Sequence, residues 1–166
     1  MVVKALLSAE EYLQTSFESP DPDYIDGVLV ERAMPANTHS RVSKNIFKAF
    51  LPWDDAGTLI ARWEIRLQVS PSRFRVADLA FFTAAPTSEI PTEQPYVVVE
   101  VVSPTDRNDE LIGKLADYDR AGIPFIFVAE PPYRLLWQYR ERSLISVPAL
   151  AVPSHNVDIP LDTIFA

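Results

Sequence analysis

Tyr96-Val97-Val98-Val99-Glu100-Val101-Val102 is a run of strand-forming residues interrupted by a single carboxylate, and Ser103-Pro104 follows it directly. A run this apolar, without alternation, belongs to a strand buried on both faces. Proline cannot donate to a sheet ladder, so the run ends at Ser103. The period then changes. Leu111, Leu115 and Tyr118 fall on one side of a helix from about Asp109 to Arg120, and Gly122 stands near its C-cap. Phe125 to Ala129 is another short apolar run and reads as a strand. Buried strands around a helix call for a sheet with helices packed on it.

The segments on either side agree. Ala61 to Val69 alternates, with Trp63, Ile65, Leu67 and Val69 on one face and Arg62, Glu64, Arg66 and Gln68 on the other, a half-buried strand. Phe74 to Phe82 is a second strand, and the proline-rich stretch from Thr83 to Pro95 is a loop. Upstream, Ser8-Ala9-Glu10-Glu11 is a capping box with Leu7 and Tyr12 at the staple positions, opening a helix that ends near Phe17. Asp26-Gly27 between apolar residues is a hairpin turn. Asn37 and Thr38 can cap a helix to about Phe50, with Pro52 and Gly57 marking its break. Downstream, Pro131-Pro132 turns the chain, Arg134 to Tyr139 returns as a strand, and a proline-containing tail follows Ser146. The order is helix, hairpin, helix, three strands, helix, strand, strand. It predicts an α/β (α+β) fold, a mixed β-sheet flanked by helices, over a single domain spanning 1–166.

Composition narrows the function. There is no cysteine, which excludes thiolate metal sites, disulfides and a cysteine nucleophile and is in keeping with a cytoplasmic protein. No apolar run reaches the roughly 20 residues that span a bilayer, and the N-terminus MVVKALLSAEEY turns acidic too soon for a signal peptide. A net charge of −8 speaks against a broad nucleic-acid surface. It leaves room for a small groove in which a divalent cation supplies the positive charge.

The chemistry should lie where acids interrupt apolar strands. A bare Glu100 carboxylate in such a strand would cost several kcal/mol or hold a proton. It needs a partner, either a divalent cation or a Lys/Arg. Asp78, within Val76-Ala77-Asp78-Leu79-Ala80, has the same standing. Two acids on adjacent strands can share a hard cation through oxygen ligands. Lys114 is three residues after Leu111 and four before Tyr118, so it borders the inward stripe of its helix. A lysine held there could orient a metal-bound water or stabilise charge as a phosphodiester is attacked. The plainer readings are an ion pair for Glu100, a strand-end cap for Asp78 and a solvated lysine for Lys114. Asp26 reads as turn chemistry, His39 as a helix-start or surface histidine, and the Arg62, Glu64, Arg66 alternation as a wet strand face.

Four stretches in this order resemble the Uma-type family of putative restriction endonucleases in the PD-(D/E)XK superfamily. They are Tyr24-Ile25-Asp26-Gly27 through Glu31; His39-Ser40-Arg41-Val42; Asp78-Leu79-Ala80-Phe81; and Val98 to Pro104 with Lys114, Tyr118 and Ala121-Gly122-Ile123-Pro124. The resemblance covers roughly residues 8 to 140. It implies a restriction-endonuclease-like core, Asp78 and Glu100 as metal-binding acids, and Lys114 as a catalytic lysine moved from the strand to the following helix. The usual strand position for that lysine is Val102. Asp23 aligns with an acid before the turn and would be an accessory acid. Ala77 stands where the family carries proline, and Val28 where it carries an acid.

The expectation is therefore a Mg²⁺- or Mn²⁺-dependent endonuclease acting on DNA, with a possible homodimer contact through an exposed strand in the 134–146 region. The alternatives are a catalytically inactive nuclease-fold protein serving as a partner-binding module, and a metal-dependent hydrolase of some other substrate.

Overall fold

The valine run forms strand β5 (Val97–Val101), buried at every position. The computed structural model describes residues 6–104 and 106–166. The signal-peptide reading falls partly on residues 1–5 and to that extent lies outside them. Around β5 the chain runs through α1 (Ala9–Gln14), β1 (Asp23–Ile25), β2 (Val28–Val30), α2 (Asn37–Asp55), β3 (Ile60–Ser70) and β4 (Arg73–Phe82). After it come α3 (Asn108–Arg120), β6 (Phe125–Glu130), β7 (Leu135–Arg140), β8 (Ser143–Ser146), β9 (Ala149–Val152), β10 (Val157–Pro160) and α4 (Leu161–Ile164).

The sheet is mixed and mostly antiparallel, in the order β2-β1-β4-β5-β6-β7-β8, with β3 on the other edge of β4. Only the β5–β6 pairing is parallel among the ladders described, and α3 makes that crossover. Helices cover both faces. Val42, Ile46 and Phe50 of α2 pack on Leu79, Phe81, Val97, Val99 and Val101. Leu115 and Tyr118 of α3 pack on Ala80, Val98, Ile126 and Val128. Successive residues of β5 thus serve opposite cores, which is why its sequence shows no alternation.

Several local expectations are met. Ser8 Oγ accepts from the Glu11 amide while the Glu11 carboxylate accepts from the Ser8 amide at 2.8 Å, completing the capping box. Asp26 and Gly27 both take positive φ, 50° and 95°, as the tight hairpin turn requires. Asp26 also binds Ser72 and Arg73, so its role is structural.

Three expectations need correction. Helix α2 does not stop at Phe50 but runs through Pro52 to Asp55, and its N-cap is Ala36, without a side-chain cap bond. The extra turn is held by Trp53, which packs on Phe50 and donates from Nε1 to the His155 carbonyl at 2.7 Å. Strand β3 does not keep one face either. Trp63 packs with Phe47 on the α2 side, whereas Ile65, Leu67 and Val69 face the α3 core. The cause is Glu64, whose φ of 47° turns the strand over between them. Finally, the tail is an ordered hairpin, β9 with β10, followed by α4. Leu150, Val152, Val157, Ile159, Ile164 and Phe165 complete the core under α2. Its turn repeats that between β6 and β7: a proline-initiated helical turn closed by a left-handed residue, Asn156 here and Arg134 there.

Candidate active site

Strand β4 has two different neighbours on the edge away from β3. Its start pairs with β1, through Tyr24 with Phe74 and Ile25 with Arg73. Its end pairs with β5, through Leu79 with Val99, Ala80 with Val98 and Phe81 with Val97. Between them, at residues 75–78, the sheet forks. Side chains take over the backbone hydrogen bonds in the gap. Asp23 Oδ1 accepts from the Val76 amide at 2.8 Å, and Asp78 Oδ2 accepts from the Val101 amide at 2.8 Å. A buried amide left without a partner is costly, so the fork calls for an oxygen acceptor at both places, and Asp23 and Asp78 supply it.

The fork opens into a narrow cleft of about 80 Å³ whose walls include Asp23, Asp78, Glu100 and Lys114. The structure therefore brings the four sequence-selected residues to one cleft, in three hydrogen-bonded groups. Asp78 accepts from Arg32 at 2.8 Å and lies 3.1 Å from His39 Nε2. Glu100 accepts from Lys114 Nζ and from the Tyr118 hydroxyl, both at 2.7 Å. Asp23 is bound to Arg75 at 3.0 Å, and Arg75 in turn holds Asp117 of α3 at 2.7 Å from Nε. Asp23 thus ties β1 to β4 and α3 and stands beside the other two acids.

Burial and charge push the two central acids apart. Burial raises the Asp78 carboxyl, but the hydrogen bond from His39 and the charges of Lys114, His39 and Arg32 outweigh it and hold Asp78 well below the usual carboxylate range. Burial is the larger effect at Glu100. Lys114 opposes it, the nearby negative charge of Asp78 adds to it, and Glu100 is pushed up to about 7. Burial lowers His39, yet the bond to Asp78 and the surrounding acids raise it overall. Burial and the Glu100 charge keep the Tyr118 hydroxyl protonated far above its ordinary range, so it remains a donor. One carboxylate stays ionised while the other can exchange a proton near neutrality, a division of labour suited to hydrolysis.

Sequence reasoning missed three contributors. Arg32 follows the hairpin in irregular chain and bridges Asp78 to Glu64, 2.7 Å away. His39, read as a helix-start or surface histidine, does stand in the first turn of α2 but is buried against Asp78. Glu64, expected on a wet face, faces the same cleft. Only His39 had a signal, its place at a helix start within the resembling motif.

The donor chemistry of the cleft suits a hard divalent cation, while the Asp78 and Glu100 oxygens are engaged by Arg32, the Val101 amide, Lys114 and Tyr118. The cleft is lined by seven acids (Asp23, Glu31, Glu64, Asp78, Glu100, Asp106, Glu110) against four bases (Arg32, Arg75, Arg107, Lys114), all oxygen donors on the acidic side. Among the described residues no three acidic, histidine or cysteine side chains are disposed to enclose a metal by themselves. Asp78 and Glu100 would hold it from one side, as suits an ion that keeps water and substrate oxygens in its shell.

A family model described as "putative restriction endonuclease" matches residues 9–160. The chain belongs to this family, Uma2. The Uma2 fold is seen again in the crystal structure of a putative nuclease belonging to DUF820 from Anabaena variabilis ATCC 29413. Its TM-score is 0.84 at 17% identity, covering 96% of this chain and 97% of that one. At that identity the likeness speaks for the fold alone. None of the curated proteins matches this Uma2 chain. Among the described residues, no helix is long and apolar enough to cross a membrane.

Proposed function

We propose that this protein is a metal-dependent endonuclease that hydrolyses DNA phosphodiesters at Asp78, Glu100 and Lys114. The observation that carries the reading is the pairing of two buried acids across the forked strands, with Lys114 bound to the one that titrates near 7. Mg²⁺ or Mn²⁺, held by Asp78 and Glu100, would lower the pKa of a bound water and offset phosphate charge.

The chain's own residues supply the rest. Hydrolysis adds water across one P–O bond, so one proton must leave the attacking water and one must reach the departing oxygen. Water in the cleft can take the first and give the second, while the Glu100 carboxylate would serve as an oxygen ligand of the cation. Tyr118 and Lys114 fix that carboxylate from both sides. The Lys114 ammonium is also placed to stabilise charge on a phosphate oxygen as it develops. Arg32, held by Asp78 and Glu64, would offer its charge to a second phosphate oxygen. Asp23 acts as an accessory acid by fixing Arg75. Two-strand cleavage would use a homodimer joined through the open edge at β8, and light scattering of the isolated protein tests that assembly.

Thermal unfolding with added Mg²⁺ or Mn²⁺ tests the site, since binding to the native state raises its midpoint by mass action. The wild type should shift and Asp78→Ala should not. The wild type should also cleave supercoiled or single-stranded DNA, and Lys114→Met should lose about 10²–10³-fold, the scale for removing a group that stabilises transition-state charge. A wild type that neither shifts with millimolar metal nor cuts DNA would overturn the reading.

A further inference from the structure

A second hollow of about 340 Å³ opens beside the acid cleft, within the size range of small-molecule sites. The two share Glu64, His39 and Asp78 as a common wall. The outer wall is Trp63, which remains 62% exposed although it packs edge-on to Phe47 at 5.2 Å between ring centroids. The left-handed turn at Glu64 leaves Trp63 on this side while the strand beyond it dives into the other core. Ser43 and His39 line the hollow, and each carries a polar atom without a partner, Ser43 Oγ and His39 Nδ1, both closed off from solvent. Lys44 adds positive charge at the same wall.

We infer that this hollow receives an unpaired nucleobase from the strand whose phosphate occupies the acid cleft, making the substrate single-stranded or locally unpaired nucleic acid. The inference rests on the phosphodiesterase reading for the neighbouring cleft and extends it to the substrate class. An exposed indole offers a stacking face that any base can use. A base inside a duplex is stacked on both sides and could not enter. A chain of net charge −8, with 15 Lys and Arg against 23 Asp and Glu, lacks the basic surface that embraces a duplex. Its affinity must come from stacking.

The test is fluorescence anisotropy in Ca²⁺, with a labelled single-stranded DNA, the same sequence as duplex, and an abasic strand of equal length. The single strand should bind about tenfold or more tightly than the other two. Trp63→Ala should erase that preference and Trp63→Phe should retain it, as stacking on an aromatic face requires. Duplex binding as tight as single-strand binding, an abasic strand that binds equally well, no binding of any DNA, or an unaltered Trp63→Ala would each overturn the inference. The phosphodiesterase reading fails separately: if Trp63-dependent strand binding is present but Mg²⁺ and Mn²⁺ support no cleavage, the base site stands and the catalytic assignment falls.

Discussion

Asp78 and Glu100 lie opposite each other across β4 and β5, at the first register position past the last backbone pair, Leu79 with Val99. The ladder ends there because the strands part, and Asp78 then binds the Val101 amide in place of a backbone carbonyl. Asp78, an acid that would hold the metal, is thus also a group that satisfies the sheet where it opens, and Glu100 lies at the same opening. Stability and activity are therefore coupled at this point.

The raised pKa of Glu100 makes that coupling measurable. Its unfolded value is near 4.5 and its folded value about 7, so the native state holds this proton more tightly. Its contribution to stability is complete below pH 4.5 and is lost as pH rises through about 7. Denaturant unfolding of the wild type and Glu100→Gln across this range should show the wild type losing about 3 kcal/mol relative to the variant. A constant difference would mean that Glu100 is ionised throughout.

Arg32 occupies an oxygen of Asp78 and places a positive charge where a cation would approach. Replacing it with Met should tighten Mn²⁺ binding at least about tenfold in calorimetry, because a unit charge within a few ångströms is worth more than 1 kcal/mol even in a polarisable protein interior. His39 and the Val101 amide still hold Asp78 in that variant. Weaker binding would show instead that Arg32 orients Asp78 for the metal.

Arg75 joins Asp23 to Asp117 and is itself buried. Arg75→Met leaves Asp23 with only the Val76 amide. Removing one partner from a buried charge network typically costs about 3–5 kcal/mol, and urea unfolding should show a loss of that order. A loss below 1 kcal/mol would mean that water already reaches these carboxylates.

Glu64 gives a sign test. At an ordinary strand position glycine is less stable than alanine, but at φ 47° the order should reverse. Both Glu64→Gly and Glu64→Ala lose the bond to Arg32. Their difference isolates the backbone, and Glu64→Gly should be the more stable by about 1 kcal/mol.

What the sequence disclosed follows from how local each signal was. Val97 to Val101 had to be a doubly buried strand, and the stripe of Leu111, Leu115 and Tyr118 placed Lys114 at its border, so the Lys114–Glu100 approach was legible. Asp78 was legible as an acid in an apolar run. The face switch at Glu64 was not, since glutamate gives no hint of a left-handed backbone. Arg32 was hidden in chain without periodicity, and its partners are set by the fork. The β9–β10 hairpin escaped because its strands are only four residues each and prolines break the pattern. Asn156, a residue tolerant of positive φ, was its one local cue. Pro52 misled because tertiary contacts of Trp53 outweigh the lost backbone bond.

The terminal hairpin also sets an order of events. Helix α2 carries His39, and the core beneath it is completed by Leu150, Val152, Val157, Ile159, Ile164 and Phe165, while Asn45 reaches the carbonyl of Ile164 at 3.1 Å. During synthesis the residues around Asp78 and Glu100 leave the ribosome long before these do. A nascent chain would then hold all its reactive side chains and still lack the support that seats α2 over them. The site would be complete only once residues 150–165 have emerged and packed against α2.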